Sequence, residues 1–300
     1  MARRRPPSTH GLCIVDKPAG VTSHDVVGML RRRFGERQVG HGGTLDPDAT
    51  GVLVVAVGMT TKLLRFVEKT TKRYSGEVVL GSSTSTLDAG GDVVATFDMT
   101  GIGADEARVV VAEHLVGDIM QVPPMVSAVR IDGKRLHELA RAGIEVERPA
   151  RPVTVRSFEV LGEPEPGVLA IDVTCSPGTY IRVLADDLGK LLGGGAHLRR
   201  LRRTAVGEFT LAEAAPPDEC DLLPVAAAVR GLAAVTADVE LARLVSHGRV
   251  LPRPIDEGDG PWAVFHVDGR LLAVYEAFVD ERSGLGLAKP SVVLPSGEPG

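Results

Sequence analysis

Short runs of β-branched residues alternate with stretches whose apolar positions fall three and four apart, the pattern of strands interleaved with helices. Residues 12–15 form an apolar strand that runs into the turn Asp16-Lys17-Pro18-Ala19-Gly20. Ser23 is placed as the N-cap of a helix reaching about Phe34, with Val26, Val27 and Leu30 on its inner face. Residues 52–57 carry no polar side chain, which predicts a buried strand. A helical turn over 60–66, a strand over 72–80, a polar turn-rich stretch over 81–92 and an amphipathic helix over 104–115 follow. Residues 153–160 and 168–175 alternate as paired strands, and a helix then runs to Leu192. Around Leu198 and Leu201 the alternation predicts a strand or irregular edge with its arginines turned outward. Further on come a linker over 216–235 with a short helix, a helix over 239–247, and strands near 262–267, 271–276 and 285–293, hinged on an Asp268-Gly269 hairpin turn.

The loop ahead of the apolar strand changes this picture from fold to chemistry. Residues 40–51 read Gly-His-Gly-Gly-Thr-Leu-Asp-Pro-Asp-Ala-Thr-Gly. Glycines give a backbone that turns tightly and lets a large group approach, and Pro47 stiffens the chain after Asp46. A carboxylate on a rigid loop at a strand's mouth suits a nucleophile or base. The alternative is a plain turn in which Asp46 and Asp48 cap amides.

Length and composition narrow the classes. Three hundred residues, 44 % apolar and 24 % charged, fit one large domain or a large and a small one. No apolar run approaches the roughly 18 residues of a membrane span, and the basic amino terminus lacks the apolar stretch of a secretory signal. Three scattered cysteines without a C-x-x-C give neither a disulfide framework nor a zinc site, so the cytoplasm is the expected compartment. No Walker, dinucleotide or H-x-x-x-H pattern is present, and no cofactor or metal is expected. The net charge of −5 conceals a division: residues 1–206 carry +3, with arginines clustered at 31–37, 130–156 and 199–203, while residues 207–300 carry −8. Basic clusters of this kind suit phosphate contacts.

The 40–51 loop resembles the signature G-H-x-G-x-L-D-P-x-A-T-G of the TruB family, the tRNA pseudouridine-55 synthases. Lys72-Arg73-Tyr74, Ser176-Pro177-Gly178-Thr179-Tyr180-Ile181-Arg182 and the 195–204 stretch Gly-Ala-His-Leu-Arg-Arg-Leu-Arg-Arg-Thr resemble three further motifs of that family. The resemblance covers residues 12–204 strongly and the remainder loosely. It implies an α+β fold: a mixed, largely antiparallel central sheet flanked by helices, with a small β-barrel-like PUA-type domain at the carboxyl end. The expected divisions are a disordered basic tail at 1–9, a catalytic domain at 10–215 with a thumb insertion at about 123–152, the linker, and the PUA-like domain at 236–296.

For the site, the resemblance implies Asp46 as the catalytic carboxylate, Arg182 as its ion-pair partner and Tyr74 as the aromatic that packs on a flipped uracil. Leu201 is expected to line the uracil pocket. His41 is expected to order the loop or wedge into the RNA, and Asp88 to meet the flipped nucleotide or close its own turn. Lys17 is read as touching RNA phosphate or pairing with an acid, and Arg130, Lys134, Arg135 and Arg202 as RNA contacts. Where the family commonly has T-D-T-x-D, this chain has Ser85 in place of the first acid. The implied activity is isomerisation of uridine 55 in the tRNA T-loop by a monomer that needs no protein partner, membrane or cofactor. The rivals are a non-catalytic tRNA-binding or folding protein, a synthase for another uridine, and a metal-dependent hydrolase using His41, Asp46 and Asp48. The kink at Pro47 disfavours the last of these.

Overall fold

The computed structural model describes residues 7–127, 130–131, 133–252 and 258–295, with backbone alone at 130, 131, 134, 135, 137, 140 and 141. Strand β1 (Gly11–Lys17) leads into helix α1 (Ser23–Phe34), then β2 (Val39–His41), β3 (Thr50–Val57), helix α2 (Leu64–Glu68) and β4 (Lys72–Leu80). Strands β5 (Ser82–Thr84) and β6 (Val93–Thr96) make a small hairpin, followed by α3 (Ala104–His114) and β7 (Gly117–Gln121). The insertion holds β8 (Arg130–Ile131), β9 (Lys134–Arg135) and α4 (Leu136–Arg141). The chain returns through β10 (Arg151–Glu165), β11 (Val168–Cys175), α5 (Ile181–Leu191), β12 (Ala196–Val206) and β13 (Phe209–Thr210).

Among the described residues, nine strands form the central sheet in the order β1-β3-β12-β4-β11-β10-β7, with β2 on β3 and β13 on β12. Every pairing in it is antiparallel except β3 with β12, so the sheet is mixed and largely antiparallel as expected. The all-apolar β3 is buried on both faces. Leu53, Val55 and Val57 pack with Val26, Val27 and Leu30 of α1, while Val52, Val54 and Ala56 pack with Leu63, Phe66 and Val67. That second cluster runs on into Ala263, Leu271 and Val274 of a smaller sheet.

The smaller sheet contains β14 (Ala233–Ala237), β15 (Leu251–Pro252), β16 (Trp262–His266), β17 (Leu271–Val279) and β18 (Gly286–Val293), in the order β14-β16-β17-β18-β15. Helix α6 (Val239–Ser246) lies against it, and Trp262 and Tyr275 fill its core. Its first strand, β14, was not expected as a strand and begins at Ala233, within the stretch read as linker up to 235. Ala-Ala-Val-Thr-Ala carries little apolar bulk, and parallel pairing with β16 makes it a strand.

Other expectations are corrected. Thr22, not Ser23, caps α1: its Oγ1 accepts from the Asp25 N–H at 3.0 Å while Asp25 accepts from the Thr22 N–H at 2.9 Å, a capping box. The stretch read as a linker begins as a packed strap. The Asp16 N–H donates to Ala215 O and the Ala215 N–H to Ile14 O, and Leu12 and Leu223 exchange two bonds, so β1 is not a bare sheet edge. Residues 7–9, expected to be disordered, are placed, with the Ser8 N–H donating to Glu36 at 3.1 Å; residues 1–6 lie outside the described residues.

One close approach fixes the sheet under the loop. Where β3 and β12 run parallel, Gly51 pairs with Arg203 at φ +100°, and a Cβ there would sit 2.2 Å from Arg203 O and 2.9 Å from Arg203 N. Both neighbours are backbone atoms and cannot swing aside. Gly51→Ala is expected to destabilise the protein by at least about 3 kcal/mol, read as a lowered urea midpoint. A midpoint equal to that of the unsubstituted protein would mean that the two strands part freely at this point.

Candidate active site

The loop between β2 and β3 is held by its own carbonyl oxygens. Gly43 O and Thr44 O accept from the Arg203 guanidinium at 3.1 and 3.3 Å. Leu45 O accepts from the Ser23 hydroxyl at 3.0 Å, and the same oxygen of Ser23 accepts from the Leu45 N–H at 2.9 Å. Asp46 O closes a turn onto the Ala49 N–H at 3.2 Å. Pro47 O accepts from Lys17 Nζ at 2.8 Å and from the Gly20 N–H at 3.0 Å. Five consecutive carbonyls are thereby engaged, three of them by side chains and one by a side chain together with an amide.

Two sequence expectations give way here. Lys17 does not reach solvent: it is fully buried, and its ammonium donates to the carbonyls of Pro18, Val21 and Pro47. Its removal from water pushes its pKa down to about 8, against the pull of Asp48 and Asp46. Arg203 does not turn outward either. It is 1 % exposed, and its Nε–H also donates to Val52 O at 2.7 Å.

Asp46 rises from this clamped backbone to meet Arg182. The guanidinium is 3 % exposed and fixed from behind, donating to Thr86 O at 2.8 Å and to Val126 O at 2.9 Å. Its Nε lies 3.0 Å from Asp46 and 3.4 Å from Asp88, so one cation serves two carboxylates. Asp88 closes its own turn as well, accepting from the Thr86 hydroxyl at 2.6 Å and the Gly90 N–H at 3.1 Å. Arg182 stands in the first turn of α5, and the residue before that helix is gripped by buried Gln121, which donates to Tyr180 O and accepts from the Tyr180 N–H.

An arginine this close would by itself lower the Asp46 carboxyl, but that is not the net result. Desolvation in the cleft raises its carboxyl above the ordinary range, and Asp88 adds to this; Arg182 and Lys17 oppose it without cancelling it. The ion pair limits the rise instead of producing a fall.

Two cavities of about 450 and 280 Å³ meet at Asp46, Arg182 and Leu201, which line both. Asp48, Asp88 and Arg200 border the larger. Tyr74, Lys72 and Arg203 border the smaller, where burial raises the Tyr74 phenol despite the Arg203 guanidinium. Tyr74 and Arg203 are register partners on β4 and β12, which puts the ring over the clamped loop. Together these groups offer a fixed carboxylate, a flat aromatic face and an apolar side chain around a recess fit for a planar heterocycle.

The remaining candidates divide. His41 pairs with Val55 in the sheet and lies off both cavities; burial and Arg203 lower its pKa, and this placement suits loop ordering, not a wedge. Arg202 is tied to Asp16 at 2.7 Å and donates to Thr50 Oγ1 at 3.2 Å. The side chains of Arg130, Lys134 and Arg135 lie outside the described residues, though their backbones pair as the expected hairpin. Ser85 replaces the family acid by bracing the turn, its hydroxyl accepting from the Asp92 N–H at 3.1 Å. Among the described residues no three His, Cys, Asp or Glu side chains converge as a metal site.

Gln121 and Arg203 were not singled out from the sequence, and Ser23 only as a helix cap. Period-two alternation from Leu201 would have put Arg203 on the pocket face. A Thr-Ser pair offers two caps for one helix, leaving one hydroxyl over. Nothing in the sequence marks Gln121.

Comparison with known proteins gives a consistent result. Residues 31–181 match the model of the TruB family pseudouridylate synthase N-terminal domain, and residues 182–228 that of the tRNA pseudouridylate synthase B C-terminal domain. The chain is 43 % identical to the tRNA pseudouridine synthase B of Rhodococcus jostii over 98 % of its length and all of that protein. It is 55 % identical to that of Corynebacterium glutamicum over 69 % of this chain and 70 % of the relative. The Cbf5 chain of a Cbf5-Nop10-Gar1 complex superposes with a TM-score of 0.71 at 26 % identity, covering 95 % of this chain and 85 % of that one.

The opposing neighbours of Asp46 predict shifts of opposite sign. Asp88→Asn removes a like charge and should lower the Asp46 carboxyl, whereas Arg182→Gln removes the cation and should raise it further. Carboxyl-carbon NMR titration of labelled aspartates reads both. Shifts in the same direction would mean that Asp46 does not sense these two charges separately.

Proposed function

The chain belongs to the TruB family of pseudouridylate synthases, and on that premise we propose that it converts uridine 55 in the T-loop of tRNA to pseudouridine. The observation that carries this reading is the Asp46–Arg182 pair at the meeting of two cavities faced by Tyr74 and Leu201. The reaction is an isomerisation. The bond from ring nitrogen 1 to the sugar breaks, the base turns, ring carbon 5 joins the same sugar carbon and gives up its proton, and nitrogen 1 takes a proton. No electron or group is gained or lost.

Asp46 is the carboxylate on which that exchange depends. Its backbone cannot retreat, because the carbonyls around it are held by Arg203, Ser23 and Lys17. Arg182 aims the carboxylate and favours its charged form. Tyr74 stacks on the extruded base, worth roughly 1–3 kcal/mol, and its phenol, held protonated by burial, can relay the carbon 5 proton. Extruding the base costs about a few kcal/mol, offset by contacts of the basic first two-thirds of the chain with the T-arm backbone. Among the described residues no helix is long and apolar enough to cross a membrane. The reading is of a cytoplasmic enzyme that acts as a monomer on free tRNA.

Purified protein and unmodified tRNA transcript, incubated with chelator, should give one new carbodiimide-dependent primer-extension stop in the T-loop. Asp46→Asn should abolish it, with at least about a thousandfold loss of rate. Binding of tRNA without conversion of any uridine would replace the synthase reading with that of an RNA-binding or folding protein.

A further inference from the structure

The larger cavity carries a feature that the proposed chemistry does not use. On β12, Arg199 pairs with Glu77 of β4 and Arg202 with Ser75, so Arg200 and Leu201 together face Gly76 alone. This is a β-bulge, and Arg200 adopts φ +54° in it. Only one other non-glycine residue among those described has a positive φ, Leu87, which stands between Thr86 and Asp88 of the same cavity's lining, where its carbonyl accepts from the Leu198 N–H of β12 at 3.0 Å. Glycine would occupy position 200 without strain. The bulge aims two side chains in different directions: Leu201 into both cavities, and Arg200 outward at the rim, 66 % exposed.

The charges around the rim are unevenly engaged. Asp46, Asp48 and Asp88 line the cavity, facing three arginines. Arg182 is buried and fixed. Arg199 lies between two acids, 2.6 Å from Glu77 Oε2 and 3.0 Å from Glu165. Arg200 touches only the other oxygen of Glu77, at 3.0 Å, and that carboxylate keeps its stronger partner if Arg200 leaves. An exposed link of this kind contributes little in water and is easily exchanged. A nucleotide entering the cavity brings a phosphate past Asp48 and Asp88, and Arg200 is the bordering cation free to meet it.

We propose that Arg200 binds a backbone phosphate next to the extruded nucleotide, giving up Glu77 to do so. This assignment rests on the synthase reading and adds to it a specific anion contact at the mouth of the site.

The test measures tRNA affinity by filter binding from about 50 to 200 mM salt, for the unsubstituted protein, Arg200→Gly and Arg200→Lys. Arg200→Gly removes the cation while suiting the left-handed backbone, so a loss cannot come from added strain. It should weaken binding about tenfold at low salt and flatten the slope of log affinity against log salt by about 1. Arg200→Lys keeps a point charge and should restore most of both. Unchanged affinity and slope in Arg200→Gly, or weakened binding with an unchanged slope, would overturn the assignment. Pseudouridine is mapped in the same samples, so a failure of the synthase reading shows separately as an unsubstituted protein that binds tRNA but converts nothing, and it removes the assignment with it.

Discussion

Everything at this site depends on where five carbonyl oxygens, those of residues 43 to 47, are allowed to be. Left alone, a glycine-rich loop of this kind would sample many conformations. Here Arg203 of β12, Ser23 of α1 and Lys17 of β1 reach the same short segment from 22 to 160 residues away in sequence. Burying two cations is costly, and the cost is offset only because each donates to several carbonyls whose lone pairs would otherwise lack partners. The depressed pKa of Lys17 records that opposition. The consequence is a backbone that presents Asp46 at one place, as a preorganised group requires.

Arg182 is arranged on the same plan from the opposite side. Its two terminal nitrogens are fixed by carbonyls of the β5–β6 hairpin loop and of the stretch entering the insertion, leaving Nε toward Asp46 and Asp88. The carboxylate and its cation are thus supported by different segments, and their separation reports how those segments sit against each other. Gln121, gripping the residue before α5, extends this support to β7 at the far edge of the sheet.

Much of this was legible in the sequence. Apolar runs and alternation located β3, β4, β11 and α5 to within a residue or two, because burial of a periodic face is a local property of the chain. The Asp46–Arg182 encounter was implied by the family resemblance of the two motifs that carry them. What escaped was whatever depends on a distant partner. Lys17 and Arg203 look like surface cations until the carbonyls that surround them are known. Ser23 looks like a cap because its true partner, Leu45, is 22 residues away. The strap over 215–223 carries the prolines and acids of a linker, and it becomes structural only where the free edge of β1 receives it. The sign of the Asp46 shift is not legible either, because a sequence shows its neighbouring charge but not the water it has lost.

That strap has a consequence for how the gene could be cut. A chain stopped after β13 would keep every residue facing the two cavities, yet would strip β1 of the neighbour on its outer side and uncover the apolar face that now continues into Ala263, Leu271 and Val274. Such a fragment would present an adhesive edge, ready to recruit the same edge of another molecule. The acidic tail is therefore less an optional attachment than the chain's own chaperone for its first strand.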